Sequence, residues 1–305
     1  MLKGALLYLA NRRPVYRLVM RHDLLRGLTQ RYVAGEDLGD GIVVAETLNT
    51  QRLLVSLDHL GESVTNGAEA RRAVTDYLDA LEALAREQVE GNISLKLTQL
   101  GLDVDRATCI DNLRRILEPA QRHEFFVRID MENSPYTEVT LEIFETLWQQ
   151  QYRNVGVVLQ SYLYRSEADA GRLNALGARV RLVKGAYREP KPVAYQQKSE
   201  VDAAFVRIMK LLLDSGHHPA IATHDPAMIE VTKTYARERG IAPNRFEFQM
   251  LYGVRRDLQA ALVRQGYGMR VYVPFGREWF PYFMRRLGER PANVGFVLKS
   301  LFAEG

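Results

Sequence analysis

Residues 93–98, Ile-Ser-Leu-Lys-Leu-Thr, alternate strictly between apolar and polar side chains. Residues 125–130, Phe-Phe-Val-Arg-Ile-Asp, end in the same pattern, with Arg128 and Asp130 next to apolar neighbours. Because side chains of a strand point alternately to opposite faces, each segment is predicted to be a strand with one apolar and one polar face. Charged residues on a buried face indicate ion pairs or a functional site, since an unpaired buried charge is costly.

Similar short runs recur along the chain, roughly 24 to 40 residues apart, close to the ~30 residues of one unit in an α/β barrel. The runs are 53–58, 93–98, 125–130, 155–160, 180–184, 220–223, 246–250 and 270–273. Amphipathic helical patterns such as 70–85 and 201–212 lie between them, which predicts parallel strands. Asp103, Thr137 and Asp225 are the predicted helix N-caps.

We therefore predict an α/β protein with a (βα)8 TIM-like barrel, since eight units favour closure over an open sheet. Residues 1–51 precede the first strand and are predicted to form a small N-terminal helical annex. Residues 52–305 form the predicted catalytic barrel, and a final helix follows the eighth strand at the barrel mouth.

The predicted strands share a polar face that points into the barrel, and barrel active sites lie at the C-terminal ends of the strands. The outermost polar residues are predicted to form a ring there: Lys96, Asp130, Gln160, Arg181, Thr223, Gln249 and Tyr272. The deeper Arg128, Arg179 and Glu247 are instead interpreted as an internal salt-bridge layer.

The final helix carries Tyr282, Arg285, Arg286 and Glu289 at spacings of three and four, which places them on one side. This could be a solvated ion-pair face. It begins at the barrel mouth, however, and guanidinium groups bind carboxylates in bidentate fashion. Together with Lys96, the two arginines would suit a small carboxylate.

Composition limits the class of protein. The 305 residues are 47% hydrophobic and 26% charged, which is typical of a globular chain. A single cysteine, Cys109, leaves no disulfide framework or Cys-based zinc site and favours a reducing compartment. The net charge of +4 is too small to indicate nucleic-acid binding. We find no signal peptide, no spanning segment and no Rossmann or P-loop motif.

Six stretches in this order resemble the proline dehydrogenase family, including the proline dehydrogenase domain of bifunctional proline utilization A proteins. They are Ser94–Thr98, Arg128–Glu132, Arg181–Tyr187, Ala222–His224, Glu247–Leu251 and Tyr282–Glu289. The resemblance implies FAD as cofactor and oxidation of L-proline to Δ1-pyrroline-5-carboxylate. It also implies that electrons pass to a membrane quinone.

The resemblance also assigns roles to residues. Arg285, Arg286 and Lys96 would bind the proline carboxylate, and Glu289 would hold the arginines. Tyr272, Leu251 and Tyr282 would border the substrate, with Asp130 orienting the Lys96 and Tyr272 side. The residues expected at the flavin are Gln160, Arg181, Lys184, Gly185, Ala186, Arg188, Thr223, His224, Asp225, Gln249 and Leu251.

Arg188 stands where many bifunctional relatives have an aromatic residue, so the adenosine end of the flavin site is expected to differ. The chain ends at Gly305 without an aldehyde dehydrogenase domain. We therefore expect a monofunctional, cytoplasmic enzyme whose product passes to a separate pyrroline-5-carboxylate dehydrogenase. Residues 1–35 hold seven basic residues and one acidic residue. This arm could contact the inner face of the cytoplasmic membrane or pack on the barrel as helices.

Two other enzyme classes stay open on the residues alone. One is another flavin-dependent barrel, such as a methylenetetrahydrofolate reductase-like protein, although the Arg285–Arg286 pair favours an amino-acid carboxylate. The other is a Schiff-base lyase with Lys96 or Lys184 as nucleophile.

Overall fold

In the computed structural model, eight parallel strands close into a barrel in chain order. The structure describes residues 31–61 and 63–288, and of residues 285–288 it describes only the backbone. The strands are β1 (Leu54–His59), β2 (Gly91–Leu95), β3 (Val127–Ile129), β4 (Val155–Gln160), β5 (Val180–Val183), β6 (Ala220–Ala222), β7 (Glu247–Leu251) and β8 (Gly268–Phe275). All eight predicted strands are present, with ends that differ from the prediction by up to three residues.

Helices alternate with the strands and surround the barrel. In the described part of the chain they are α1 (Leu38–Thr50), α2 (Gly67–Arg86), α3 (Arg106–Arg122), α4 (Thr137–Gln149), α5 (Ser166–Leu176), α6 (Lys198–Ser215), α7 (Pro226–Glu238), α8 (Arg256–Arg264) and α9 (Trp279–Gly288). Short 3-10 turns at Ser134–Tyr136 and Pro243–Arg245 precede α4 and β7. The fold is therefore a (βα)8 barrel, as predicted.

Of the three predicted helix N-caps, the structure confirms one and shows that two are wrong. Asp225 caps α7 by accepting a hydrogen bond from the Ala227 amide at 3.1 Å. Asp105, and not Asp103, caps α3. Asp103 instead accepts a hydrogen bond from the Tyr136 hydroxyl. Thr137 is the first residue of α4 rather than its cap, because the 3-10 turn before it already starts the helical backbone.

The register of the closing strand pair fixes which side chains enter the lumen. Ser56 of β1 lies opposite Tyr272 of β8, and Leu57 lies opposite Val273. Since neighbours in register share a face, Ser56 and Tyr272 point inward while Leu57 and Val273 meet the helices. The apolar face is fully covered: Leu57 is 1% exposed and Val273 is 0% exposed. The main hydrophobic core therefore lies between strands and helices.

The barrel interior below the strand ends is polar, and its charged side chains make hydrogen bonds with one another or with backbone carbonyls. Glu247 accepts two hydrogen bonds from Arg270, at 2.9 and 3.1 Å. Arg128 instead donates to the backbone carbonyls of Val157 and Arg179, and its guanidinium lies over the ring of Phe126. Of the predicted salt-bridge layer, Glu247 forms an ion pair, but its partner is Arg270. Arg128 is bonded to carbonyl oxygens, and Arg179 lies beside His218 and over the Phe126 ring.

Helix α1 precedes the barrel and packs against β8 and β1. It is the described part of the predicted annex, whose residues 1–30 lie outside the described residues. The division of the chain at residue 51 stays a prediction. Across residues 31–61 and 63–288, no helix combines the length and the apolarity needed to cross a bilayer.

Candidate active site

One cavity of about 450 Å³ opens among the C-terminal ends of the strands. A volume of this size is typical of a small-molecule site. All seven residues of the predicted outer ring lie on its wall: Lys96, Asp130, Gln160, Arg181, Thr223, Gln249 and Tyr272. These residues come from seven different strands or strand ends, β2 to β8, and converge on one space because alternate side chains in a closed barrel point to the same interior.

Other residues named from the sequence also border this cavity. They are Lys184, Gly185, Ala186, His224, Asp225, Leu251 and Tyr282. Arg188 lies beyond this wall, so any contact it makes with a cofactor must occur outside the cavity. Arg285 and Arg286 belong to α9, but their side chains lie outside the described residues, as does all of Glu289.

Asp130 is the centre of a partly buried hydrogen-bond chain. Its Oδ1 accepts from Nη1 of Arg181, and its Oδ2 accepts from the Tyr272 hydroxyl, both at 2.7 Å. Nη2 of Arg181 donates to Oγ of Ser94 at 3.0 Å. The Arg181 guanidinium also lies 5.4 Å from the centre of the Tyr272 ring. These contacts hold the guanidinium and the phenol ring in one fixed geometry.

The titration of Tyr272 follows from this environment. Burial raises the pKa of the Tyr272 hydroxyl well above its usual value, and the negative charge of Asp130 raises it further. The hydroxyl therefore keeps its proton at any physiological pH and donates a hydrogen bond to Asp130.

Lys96 lies beside a carboxylate that the sequence analysis did not name. Its Nζ is 3.4 Å from Oδ1 of Asp58, at the C-terminal end of β1. Asp58 is 1% exposed. Burial raises the pKa of the Asp58 carboxyl, and the charge of Lys96 opposes that increase. Period-two alternation along β1, which puts Ser56 and Asp58 on the lumen face, was the signal that could have identified Asp58.

The loop after β5 approaches the cavity through a glycine. Gly185 has φ +113°, in the region that side chains disfavour, and a Cβ placed there would lie 2.3 Å from the ring of Tyr162. The Tyr162 hydroxyl donates to Oε1 of Gln160 at 3.1 Å. Nε2 of Gln160 donates to the carbonyl of Glu132 at 2.8 Å. On this side of the cavity, the Tyr162 ring therefore packs directly against the backbone of Gly185, which has no side chain.

Lys184 is part of an ion-pair cluster at the edge of the cavity. Its Nζ lies 2.5 Å from Asp202 and 2.8 Å from Asp225. Lys198, which is 77% exposed, also contacts both carboxylates. The hydrogen bond from Lys184 lowers the pKa of Asp225. Two ammonium groups and two carboxylates balance one another, so the cluster is close to neutral.

Hydrogen bonds to backbone atoms fix the part of the cavity wall near β6 and β7. Nε2 of His224 accepts a hydrogen bond from the Leu251 amide at 2.9 Å, which identifies it as the unprotonated ring nitrogen. The amide of Thr223 donates to the carbonyl of Gln249, whose side chain donates to Glu247. His224 therefore ties two strand ends together.

The chemistry of this wall combines cations with apolar surface. Apolar side chains on it include Met131, Val158, Val183, Met250 and Leu251. Such a surface suits a planar ring, and the adjacent Arg181 and Lys96 suit an anion. A Schiff base, in contrast, requires a neutral amine, whereas Lys96 and Lys184 both lie beside carboxylates.

Comparison with known families shows to which family this barrel belongs. The family model described as proline dehydrogenase matches residues 43–299, which include every strand and the whole cavity wall. The chain belongs to the proline dehydrogenase family. It is thereby an oxidoreductase, as the motifs indicated.

Individual relatives agree with the family. Proline dehydrogenase 2 of Bacillus subtilis (strain 168) is 44% identical over 271 residues, covering 89% of both chains. Proline dehydrogenase of Deinococcus radiodurans is 38% identical over 303 residues, covering 98% of this chain and 97% of that protein.

A solved structure shares the fold. The crystal structure of proline utilization A from Bdellovibrio bacteriovorus inactivated by N-propargylglycine superposes with a TM-score of 0.82 and 26% identity. The match covers 92% of this chain but only 34% of that longer protein. This chain therefore spans about a third of the length of proline utilization A.

Proposed function

We propose that this protein oxidises L-proline to Δ1-pyrroline-5-carboxylate with bound FAD and passes the electrons to a membrane quinone. The observation that carries the proposal is the convergence of Lys96, Asp130, Arg181 and Tyr272 on one cavity in a chain of this family. The other flavin-barrel reading, a methylenetetrahydrofolate reductase-like enzyme, loses its support because the family is that of proline dehydrogenases.

The cavity has features that suit a flavin ring. Nε of Arg181 is buried with no hydrogen-bond partner, which leaves a donor available to a ring nitrogen or oxygen. Gly185 presents bare backbone where a side chain would intrude. When bound, FAD supplies a two-electron acceptor that takes hydride from carbon. Gln160, Thr223, His224 and Gln249 would then hold its ring system.

The phosphates of FAD would lie toward Lys184, Ala186 and Asp225. Because Asp202 and Asp225 already neutralise Lys184, a pyrophosphate there would compete with two carboxylates. Lys198 contacts the same two carboxylates, so a pyrophosphate near it would meet the same competition. Arg188 would act, if at all, on the adenosine part beyond the cavity wall.

The substrate would be held by its carboxylate and its ring. Lys96, Arg285 and Arg286 would bind the carboxylate, with Glu289 holding the arginines. Tyr272, Leu251 and Tyr282 would enclose the pyrrolidine ring. The hydrogen bond of Tyr272 to Asp130 fixes that wall. The family resemblance implies that Tyr272 disfavours hydroxyproline, so proline is the proposed substrate.

The residues of this chain would act mainly by positioning and electrostatics. Clamping the substrate would hold the carbon that loses hydride within reach of the acceptor, and such positioning supplies part of the rate. Arg181, a fixed cation at the cavity wall, would stabilise negative charge that develops on the ring beside it. Asp130 holds that cation in place.

One substitution tests whether Arg286 binds the carboxylate of the substrate. Arg286→Ala should raise the Michaelis constant for proline at least tenfold, because one charge-assisted contact contributes roughly 1.5–3 kcal/mol. Steady-state kinetics with an artificial dye as acceptor measure this directly. Arg277→Ala, at an exposed arginine just before α9, is the matched control and should leave the constant unchanged. An unchanged constant for Arg286→Ala would remove that residue from the substrate site.

We further propose a cytoplasmic enzyme with peripheral contact to the inner membrane face through the basic arm, whose residues 1–30 lie outside the described residues. Deleting residues 1–12 should reduce liposome binding and quinone-linked turnover but leave dye-linked turnover intact. Equal loss in both assays would make the arm structural. The product would pass to a separate pyrroline-5-carboxylate dehydrogenase.

A further inference from the structure

One carboxylate oxygen on the cavity wall has no hydrogen-bond donor. Asp58 is the second-last residue of β1, is 1% exposed and borders the same cavity as Lys96 and Tyr272. Its Oδ1 is 3.4 Å from Nζ of Lys96, whereas its Oδ2 is buried and without a hydrogen-bond partner. A buried acceptor left unmatched is costly, and such a cost is tolerated where a ligand supplies the missing donor.

The other carboxylates on the cavity wall are already matched. Both oxygens of Asp130 accept hydrogen bonds, from Arg181 and from Tyr272. Asp225 accepts from the Ala227 amide through one oxygen and from Lys184 through the other. Among the aspartates of this wall, the unmatched oxygen therefore belongs to Asp58.

The charge of an amino acid fits this arrangement. A carboxylate bound at Lys96 adds a negative charge next to the existing pair with Asp58, and the two anions would repel each other. In an α-amino acid the amino group is attached to the carbon that bears the carboxylate. A carboxylate at Lys96 thus brings the positive amino group into the neighbourhood of Asp58, where it offsets that repulsion.

We propose that Oδ2 of Asp58 accepts a hydrogen bond from the protonated amino group of the substrate. This inference rests on the proposed function, because it takes proline as the substrate. Asp58 and Lys96 then form a matched pair of contacts for a zwitterion, one for each charge. The cavity would thereby favour an amino acid over a cyclic carboxylic acid of the same shape that lacks nitrogen.

Two ligands distinguish this role from a purely structural one. Proline has both charged groups, while cyclopentanecarboxylate has the same ring size and the carboxylate alone. In the flavin-loaded enzyme, Asp58→Asn should raise the Michaelis constant for proline roughly ten- to hundredfold. The inhibition constant of cyclopentanecarboxylate, measured in the same dye-linked assay, should stay within about threefold of the original, since no contact to nitrogen is lost.

Other results would overturn the inference. If both constants rose together, Asp58 would serve only to hold Lys96, and if neither changed, it would have no part in binding. Asp58→Ser gives a second test should the asparagine variant fold poorly. Asp111→Asn, at an exposed aspartate on α3, is the matched control and should behave like the unaltered enzyme. An unaltered enzyme that failed to oxidise proline would instead refute the proposed function, and this inference with it.

Discussion

Replacing Asp130 with asparagine removes one charge from the centre of the site while keeping the shape of the side chain. The carboxylate accepts two hydrogen bonds at 2.7 Å, from Arg181 and from Tyr272. The asparagine oxygen can accept one of them, but its amide nitrogen cannot accept the other. A hydrogen bond to a charged group contributes about 1.5–3 kcal/mol, so Asp130→Asn should lower the free energy of unfolding by roughly that amount.

For a domain of this size the loss corresponds to a fall in melting temperature of roughly 2–5 °C. We also expect kcat/KM for proline to drop at least tenfold, because Arg181 and Tyr272 lose their common anchor. Thermal unfolding and steady-state kinetics on the same preparation measure both effects. Asp103→Asn is the matched control, since it removes an aspartate that accepts from Tyr136 at the surface. If the Asp130 variant matched this control in stability and turnover, the partly buried hydrogen-bond chain would have no role.

Three further changes test other parts of the structure. Gly185→Ala should lower the ratio of flavin to protein absorbance, because the added Cβ would lie 2.3 Å from the Tyr162 ring at φ +113°; a full complement of flavin would contradict the close packing. Burial raises the pKa of the Cys109 thiol to about 12, so iodoacetamide at pH 8 should label it only after unfolding, as mass spectrometry can show. Although burial alone would raise the pKa of Glu247, Arg270 lowers it to about 2 from the ordinary 4.5. The stabilising charge is therefore fully present above about pH 4.5 and lost toward pH 2, and the stability difference between Glu247→Gln and the unaltered protein should shrink over that range in denaturant titrations.

Local patterns predicted the barrel and most of its cavity because strand periodicity is a local property. Alternation along single strands was enough to select Lys96, Asp130 and Arg181, which the closed sheet then brings to one wall. The same rule applied to β1 would have selected Asp58. The sequence therefore carries enough information to identify Asp58.

Pairing between side chains depends on strand register, which no single segment encodes. Asp130 was expected to orient the Lys96 and Tyr272 side of the pocket. In the structure it bonds Tyr272, as expected, and also Arg181, while Asp58 rather than Asp130 lies beside Lys96. Likewise, Asp103 was the predicted N-cap, whereas backbone turns occupy residues 97–105 and Asp105 caps the helix. Tertiary contacts determine these side-chain pairs and this N-cap, and they override local propensity.

The central claim is that the cavity holds a flavin next to a bound proline, and an absorption spectrum of the purified protein tests it most directly. We expect flavin bands that bleach when L-proline is added without oxygen. A colourless protein that does not take up FAD, or flavin bands unchanged by saturating proline, would contradict the claim.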